Sequence, residues 1–97
     1  MESLKTLDYI EGGLNKKVIY STENGAMIEL AFDAGKGLDT HSAPGDVVVQ
    51  VVEGTVDFTV GDTVNRMEQG DYIRMAKDEA HSVKAVTKAK ILVTKFL

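Results

Sequence analysis

The stretch from Gly35 to Gly54 reads GKGLDTHSAPGDVVVQVVEG and joins a polar first half to an apolar second half. The second half, Val47–Glu53, is almost continuously apolar, which is typical of a strand that is buried on both faces. Gly54 ends this strand. The first half contains Asp39 and His41, whose side chains can bind metals or transfer protons. The stretch therefore predicts a buried strand that follows a segment with chemically active side chains.

Short β-branched runs, separated by glycine and acidic turns, continue on both sides of this stretch. The predicted strands are Val18–Ser21, Ala26–Phe32, Val47–Glu53, Thr55–Val60, Thr63–Met67, Tyr72–Met75, His81–Ala85 and Ile91–Phe96. The first two flank Asn24-Gly25, and Asn-Gly between apolar runs is the strongest short signal for a hairpin. Gly61-Asp62 predicts a second hairpin, in which strand alternation directs Val56 and Phe58 to the same face. About eight short strands without a helical stripe predict an all-β barrel or two-sheet sandwich.

Length and composition limit the chain to one domain and exclude several classes of function. The 97 residues predict a single domain, 1–97, because chains of about 100–150 residues seldom divide further. A net charge of -4 and the presence of only two arginines, Arg66 and Arg74, argue against binding to nucleic acid. The absence of cysteine excludes disulfides and thiolate-bound metals. Met1–Leu14 does not resemble a signal peptide and no stretch approaches the ~20 apolar residues of a membrane span, so we expect a cytoplasmic protein without membrane contact.

Three features bear on the surface of the domain and on its assembly. Leu4–Gly13 fits either a short strand or an arm that pairs with a second subunit. The lysines within Lys84–Lys95 alternate with apolar residues, and we interpret them as the solvated face of a strand. Apolar residues occupy both parities of Val47–Val52, so an outer face of the barrel also has apolar surface to bury. We therefore expect a homodimer.

Two segments of the chain resemble the paired motifs of the cupin superfamily. The first motif has glycine, five residues, His-x-His, three or four residues, glutamate, six residues and glycine. Gly35, His41 and Gly54 match this pattern. Ala43 stands in place of the second histidine, and Val47 stands in place of the glutamate.

The second motif has glycine, five residues, Pro-x-Gly, two residues, histidine, three residues and asparagine. The matching segment reads GDYIRMAKDEAHSVKA, in which Gly70 and His81 have the required separation. Ala76, Asp78 and Ala85 replace the proline, glycine and asparagine. The short interval between the two motifs is usual in small prokaryotic cupins. The resemblance covers nearly the whole chain and implies a cupin-type double-stranded β-helix, or jelly-roll barrel.

The resemblance also implies a metal-binding site, but two of its four ligand positions differ in this sequence. Cupin metals are held by two histidines and a glutamate of the first motif and by one histidine of the second. Here those positions are His41, Ala43, Val47 and His81. Two donors rarely hold a divalent ion tightly, because catalytic sites usually offer three or more. We therefore expect no cofactor. The alternative is a divalent transition metal bound by His41, His81 and Asp39, since Asp39 shares strand parity with His41. A solvated turn residue is the other interpretation of Asp39.

The candidate ligand-binding residues are His41, His81, Phe58 and Met75. The resemblance places the two histidines near one barrel mouth. There they are either ligand-binding groups or an acid–base pair, or else structural side chains that hydrogen-bond to each other or to the backbone. Phe58 could form the wall of an apolar pocket or simply fill the barrel, and flexible methionines such as Met75 occur in both settings.

These features favour a small-molecule-binding cupin that lacks the usual full set of metal ligands. One alternative is a metal-dependent oxygenase or isomerase that uses Asp39, His41 and His81. Another is a metal-free acid–base catalyst similar to the cupin sugar epimerases, although the shortage of arginine leaves few anchors for nucleotide-sugar phosphates. A third is a purely structural or interaction barrel with a filled interior. An open cavity would separate the binding and catalytic hypotheses from the structural one.

Overall fold

A computed structural model describes all 97 residues as nine β-strands preceded by one three-residue 3-10 turn, Leu4–Thr6. The strands are β1 (Leu14–Thr22), β2 (Gly25–Phe32), β3 (Gly37–His41), β4 (Asp46–Glu53), β5 (Thr55–Val60), β6 (Thr63–Glu68), β7 (Tyr72–Met75), β8 (His81–Ala85) and β9 (Ala89–Phe96). All eight predicted strands are present, and β3 is an additional one. No helix is long and apolar enough to cross a bilayer.

The nine strands form two antiparallel sheets. The larger sheet has the order β1-β2-β9-β4-β7, and the smaller has the order β3-β8-β5-β6. Consecutive strands repeatedly cross from one sheet to the other, as they do where β3 is followed by β4. This arrangement confirms the predicted all-β cupin-type jelly-roll barrel. It also places the two motif histidines, in β3 and β8, on neighbouring strands of the smaller sheet.

The core lies between the two sheets and consists of thirteen buried hydrophobic residues. Phe32, Val49 and Ile91 come from the larger sheet, and Val56 and Phe58 come from the smaller one. Alternation along β5 directs Val56 and Phe58 inwards, as its pattern predicts, and leaves them 0% and 2% exposed. Burial of each such side chain contributes about 1.5–3 kcal/mol, so the packing between the sheets dominates the stability of the domain.

Within the single chain β4 is buried on one face only, so the prediction that it is buried on both faces is wrong for the monomer. Val47, Val49 and Val51 are 2–3% exposed on the inner face, whereas Val48 is half-buried and Gln50 is exposed on the outer face. The run of valines reflects the preference of β-branched residues for strands, which does not depend on burial of both faces. The outer face of β4 is therefore available surface in the monomer.

The N-terminal segment forms no strand, so the interpretation of Leu4–Gly13 as a short strand is wrong. Side-chain hydrogen bonds hold this segment against the larger sheet. The Tyr9 hydroxyl donates to Glu53 Oε2 at 2.7 Å. The Lys90 ammonium donates to the Lys5 carbonyl at 2.8 Å and lies 3.5 Å from Glu53 Oε1. Lys90 is thus buried, and it does not belong to a solvated face as the sequence pattern suggests.

Two of the motif glycines have the same backbone requirement but different surroundings. Gly54 has φ +79° and Gly70 has φ +94°, a region that side chains other than hydrogen rarely allow. A Cβ at Gly54 would clash with the Lys88 carbonyl and would lie 2.8 Å from Ala89 Cα, whereas a Cβ at Gly70 would have no neighbour within 4 Å. Gly54 therefore permits the close approach of β4 to the segment that leads into β9.

This difference predicts unequal effects of the same substitution. Gly70→Ala should destabilise the fold by about 1–2 kcal/mol, the approximate energy of a left-handed residue with a Cβ. Gly54→Ala should cost at least twice as much, because the backbone around Lys88 must also move. Denaturant unfolding of both variants measures the difference. Equal losses of stability would contradict the packing described for Gly54.

Candidate functional site

The pairing of β3 with β8 brings the two motif histidines together. His41, the last residue of β3, lies opposite His81, the first residue of β8. Their ring centroids are 4.2 Å apart, and the ring planes meet at 66° in an edge-to-face arrangement. The structure therefore confirms that the two imidazoles converge, as the motifs imply.

Hydrogen bonds to backbone carbonyls determine which nitrogen of each histidine ring carries the proton. His41 Nδ1 lies 2.7 Å from the Asp39 carbonyl, and His81 Nδ1 lies 2.9 Å from the Glu79 carbonyl. A carbonyl oxygen only accepts hydrogen bonds, so each Nδ1 must carry the proton. In the neutral rings each Nε2 is then an acceptor, and neither Nε2 has a hydrogen-bond partner within the protein. Both histidines are thus oriented by the backbone and retain one nitrogen for a ligand.

The two rings differ in their environments. His81 is 6% exposed and stacks on Phe58, with centroids 5.8 Å apart and planes inclined by 17°, whereas His41 is exposed. Burial lowers the pKa of His81, and the charges of His41 and Lys95 lower it further, against the opposing effect of its hydrogen bond to Glu79. His81 is consequently neutral at pH 7.

The histidine pair borders a cavity of about 250 Å³ between the two sheets. Eleven of the seventeen lining residues are hydrophobic, so the interior wall is mainly apolar. Phe58 forms part of this wall. Ala43 and Val47, which occupy the motif positions of a histidine and a glutamate, also line the cavity. The motif register therefore places these positions around one space.

Met75 and Asp39 lie away from this cavity. Met75 is 2% exposed within the core and does not line the cavity. Asp39 is exposed and faces a separate surface depression shared with Thr59 and Lys84. The pairing of β3 with β8 shifts register between Leu38 and His41, which breaks the parity on which the predicted Asp39–His41 pair depends. Asp39 hydrogen-bonds to the His41 ring through its backbone carbonyl and not through its carboxylate.

Two lysines at the cavity were not among the site residues predicted from the sequence. Lys16 of β1 and Lys95 of β9 both line it. The interpretation of Lys95 as part of a solvated face is therefore wrong. Lys95 shares parity with Ile91 and Val93, which also line the cavity, so strand alternation carried a signal for its position.

Comparison with known families agrees with this geometry. A family model for the cupin domain matches residues 28–95, from the middle of β2 to the last residue but one of β9. The chain belongs to the cupin family. The match includes both motifs and therefore both histidines of the candidate site. A comparison with curated proteins finds no match.

Solved structures share the fold of this cupin over almost its whole length. An RmlC-like cupin from Desulfovibrio desulfuricans is 29% identical, with a TM-score of 0.84 over 97% of this chain and 94% of the other. A cupin 2 conserved barrel domain protein from Leptotrichia buccalis is 26% identical, with a TM-score of 0.93 over 100% of this chain and 47% of the other. A conserved protein of unknown function from Streptococcus pyogenes is 20% identical, with a TM-score of 0.92 over 99% and 85% of the chains, and it supports the fold alone.

Cupins often bind a metal, and the residues of this cupin do not fit one. No group of three or more histidine, cysteine, aspartate or glutamate side chains comes together in a position to hold an ion. At the cavity the first motif offers only one imidazole, from His41, because Ala43 and Val47 have no donor atoms. Asp39, the remaining candidate ligand, faces a different depression.

The environment of His81 predicts its titration. We expect the pKa of His81 to lie below the ordinary histidine value of about 6.5. His41→Asn should raise this pKa only in part, because burial is the larger cause and remains in the variant. NMR titration of the imidazole resonances measures both values. A parent His81 that titrates at or above about 6.5 would contradict the burial argument.

The same shift predicts how stability changes with pH. The folded state holds a proton on His81 less tightly than the unfolded state does, so neutral His81 stabilises the fold above about pH 6.5. This contribution should be lost as the pH falls through the lowered folded-state pKa. His81→Gln should therefore show a weaker acid dependence of the unfolding free energy than the parent. If the unfolding free energies of the parent and of the variant fall equally with acid, the lowered pKa of His81 is contradicted.

Proposed function

We propose that this cupin binds a small, largely apolar molecule in the cavity between its sheets. The observation that carries the proposal is the apolar cavity of about 250 Å³ with two imidazoles converging at its edge. Ligand sites are typically concave and mostly apolar, with a few polar groups that orient the ligand. The volume lies below the ~300–1,000 Å³ of sites for drug-sized ligands, which favours a smaller molecule.

The departures from the cupin motif support binding without a metal. Ala43 and Val47 are smaller and less polar than the histidine and glutamate of the motif, so they leave room in the cavity and extend its apolar wall. Each remaining histidine has an Nε2 without a protein partner, which can hydrogen-bond to a ligand. An open cavity also argues against a barrel whose interior serves only packing.

Acid–base catalysis without a metal is a second candidate function. The observation that favours it is the contrast between a buried His81 and an exposed His41 whose rings are in contact. A neutral imidazole with a lowered pKa can accept a proton near pH 7. The two functions can be told apart by the fate of the ligand, because a catalyst converts it to a product whereas a binding protein releases it unchanged.

Fragment binding tests the proposed function. Methyl NMR spectra of the protein with a library of small apolar fragments should show shifts at Val47, Val49 and Ile91, which line the cavity. Val47→Phe should abolish these shifts by filling the space, whereas Val64→Phe, on the exposed face of β6, should not change them. The proposal fails if no fragment shifts the cavity methyl groups of the parent.

We further propose that this cupin forms a homodimer through the outer face of its larger sheet. Val48 lies on that face beside Gln50, and Gln50 is paired with Tyr72, which is 68% exposed. Nothing in the chain covers this part of β4 and β7. A second copy could bury it in an interface of more than ~1,200 Å² in total, the size of a stable association.

Solution mass tests this assembly. The parent should sediment as a dimer at micromolar concentration. Val48→Lys should produce a folded monomer, because an ammonium group would be buried without a partner in the interface. Val64→Lys introduces the same charge on the other sheet and should remain dimeric. A monomeric parent would refute the proposal.

A further inference from the structure

All charged side chains that line the cavity are cationic. They are Lys16 and Lys95, and no aspartate or glutamate is among the seventeen lining residues. The chain as a whole is acidic, with fifteen acidic residues against eleven lysines and arginines and a net charge of -4. The lining of the cavity is therefore positively charged, whereas the protein as a whole is negatively charged. This positive charge is a local property of the cavity.

The cationic and imidazole groups come from both sheets. Lys16 is paired with Leu30 across β1 and β2, and Lys95 is paired with Val47 across β9 and β4. Leu30 and Val47 themselves line the cavity, so both lysines belong to the inner face of the larger sheet. The histidines belong to the smaller sheet opposite. Four nitrogen-bearing side chains thus line one mainly apolar space, with His81 buried, Lys95 half-buried, and Lys16 and His41 exposed to solvent.

Neither cavity lysine is neutralised by the protein. The ion pairs of the structure join Lys17 to Glu2, Arg66 to Asp57 and Lys90 to Glu53. No carboxylate lies within 4.0 Å of the ammonium group of Lys16 or Lys95, and neither ammonium group donates a hydrogen bond to the protein. The charge of Lys95 also contributes to the lowered pKa of His81, so its field extends to the histidine pair.

We propose that the ligand of this cavity is a small apolar monocarboxylate. This inference rests on the proposed function and specifies its ligand. The apolar wall accepts the body of the ligand, while the carboxylate receives hydrogen bonds from Lys16 and Lys95. A cationic ligand would be repelled by the lysines, and a neutral one would gain no charge-assisted hydrogen bond from them. A carboxylate carries one charge where a phosphate carries nearly two, so it is less costly to desolvate in a cavity whose wall is mainly apolar.

A matched set of probes tests the charge of the ligand. Benzoate, benzamide and benzylamine share one apolar ring and differ in the charge of the attached group. Methyl NMR titration of the parent should give a dissociation constant for benzoate at least about tenfold lower than for benzamide, and the weakest binding for benzylamine. Added salt should weaken benzoate binding more than benzamide binding, because ions screen the lysine charges.

Lysine variants locate the source of this preference. Lys16→Met with Lys95→Met should reduce benzoate affinity to about that of benzamide, while benzamide affinity changes less than about twofold. The control is Lys17→Met with Lys84→Met, which removes the same charge from residues outside the cavity. It should keep the preference for benzoate.

The outcomes separate this inference from the proposed function. If benzamide or benzylamine binds as tightly as benzoate, the inference is overturned and the cavity remains a binding site. If the control pair abolishes the preference as fully as the cavity pair does, the inference is also overturned, because net charge would then be the cause. If acids, amides and amines of the fragment library all leave the cavity methyl groups unshifted, the proposed function fails, and this inference fails with it.

Discussion

The burial of two inner sheet faces against each other is the interaction on which the rest of this cupin depends. Phe32, Val49 and Ile91 from one sheet pack with Val56 and Phe58 from the other, and strand alternation determines which residues take part. The packing is not uniform. Small side chains at Ala43 and Val47 leave the space near β3 and β8 open, so the core is continuous with a cavity.

The properties of the histidine pair follow from its position at the edge of this core. His81 packs on Phe58 and is desolvated, whereas His41, one strand away, is exposed. Both Nδ1 atoms donate hydrogen bonds to backbone carbonyls, so each ring keeps its Nε2 for other partners. In a metal-binding cupin such nitrogens would coordinate an ion. Here their neighbours are apolar side chains and unpaired lysines, which suit an organic anion better than a cation.

Much of the fold follows from local patterns in the sequence. The two hairpins, the alternation of β5 and the positive φ angles at Gly54 and Gly70 depend on residues close in the chain, so short-range physics is sufficient to predict them. The convergence of His41 and His81 could be predicted because the motifs encode a pairing of strands. The burial of β4 on one face only could not be predicted, since valine favours strands whether or not both faces are covered.

The sequence by itself determined the all-β cupin fold, the two histidines of the candidate site and the presence of Ala43 and Val47 where the cupin motif has a histidine and a glutamate. The tertiary structure alone decided which polar residues accompany them. A register shift between Leu38 and His41 leaves the side chains of Asp39 and His41 on different faces, because a single shifted residue exchanges the two faces of a strand. The position of Lys16 at the cavity likewise depends on how β1 pairs with β2, because a long, exposed lysine side chain is compatible with either face until that pairing exists.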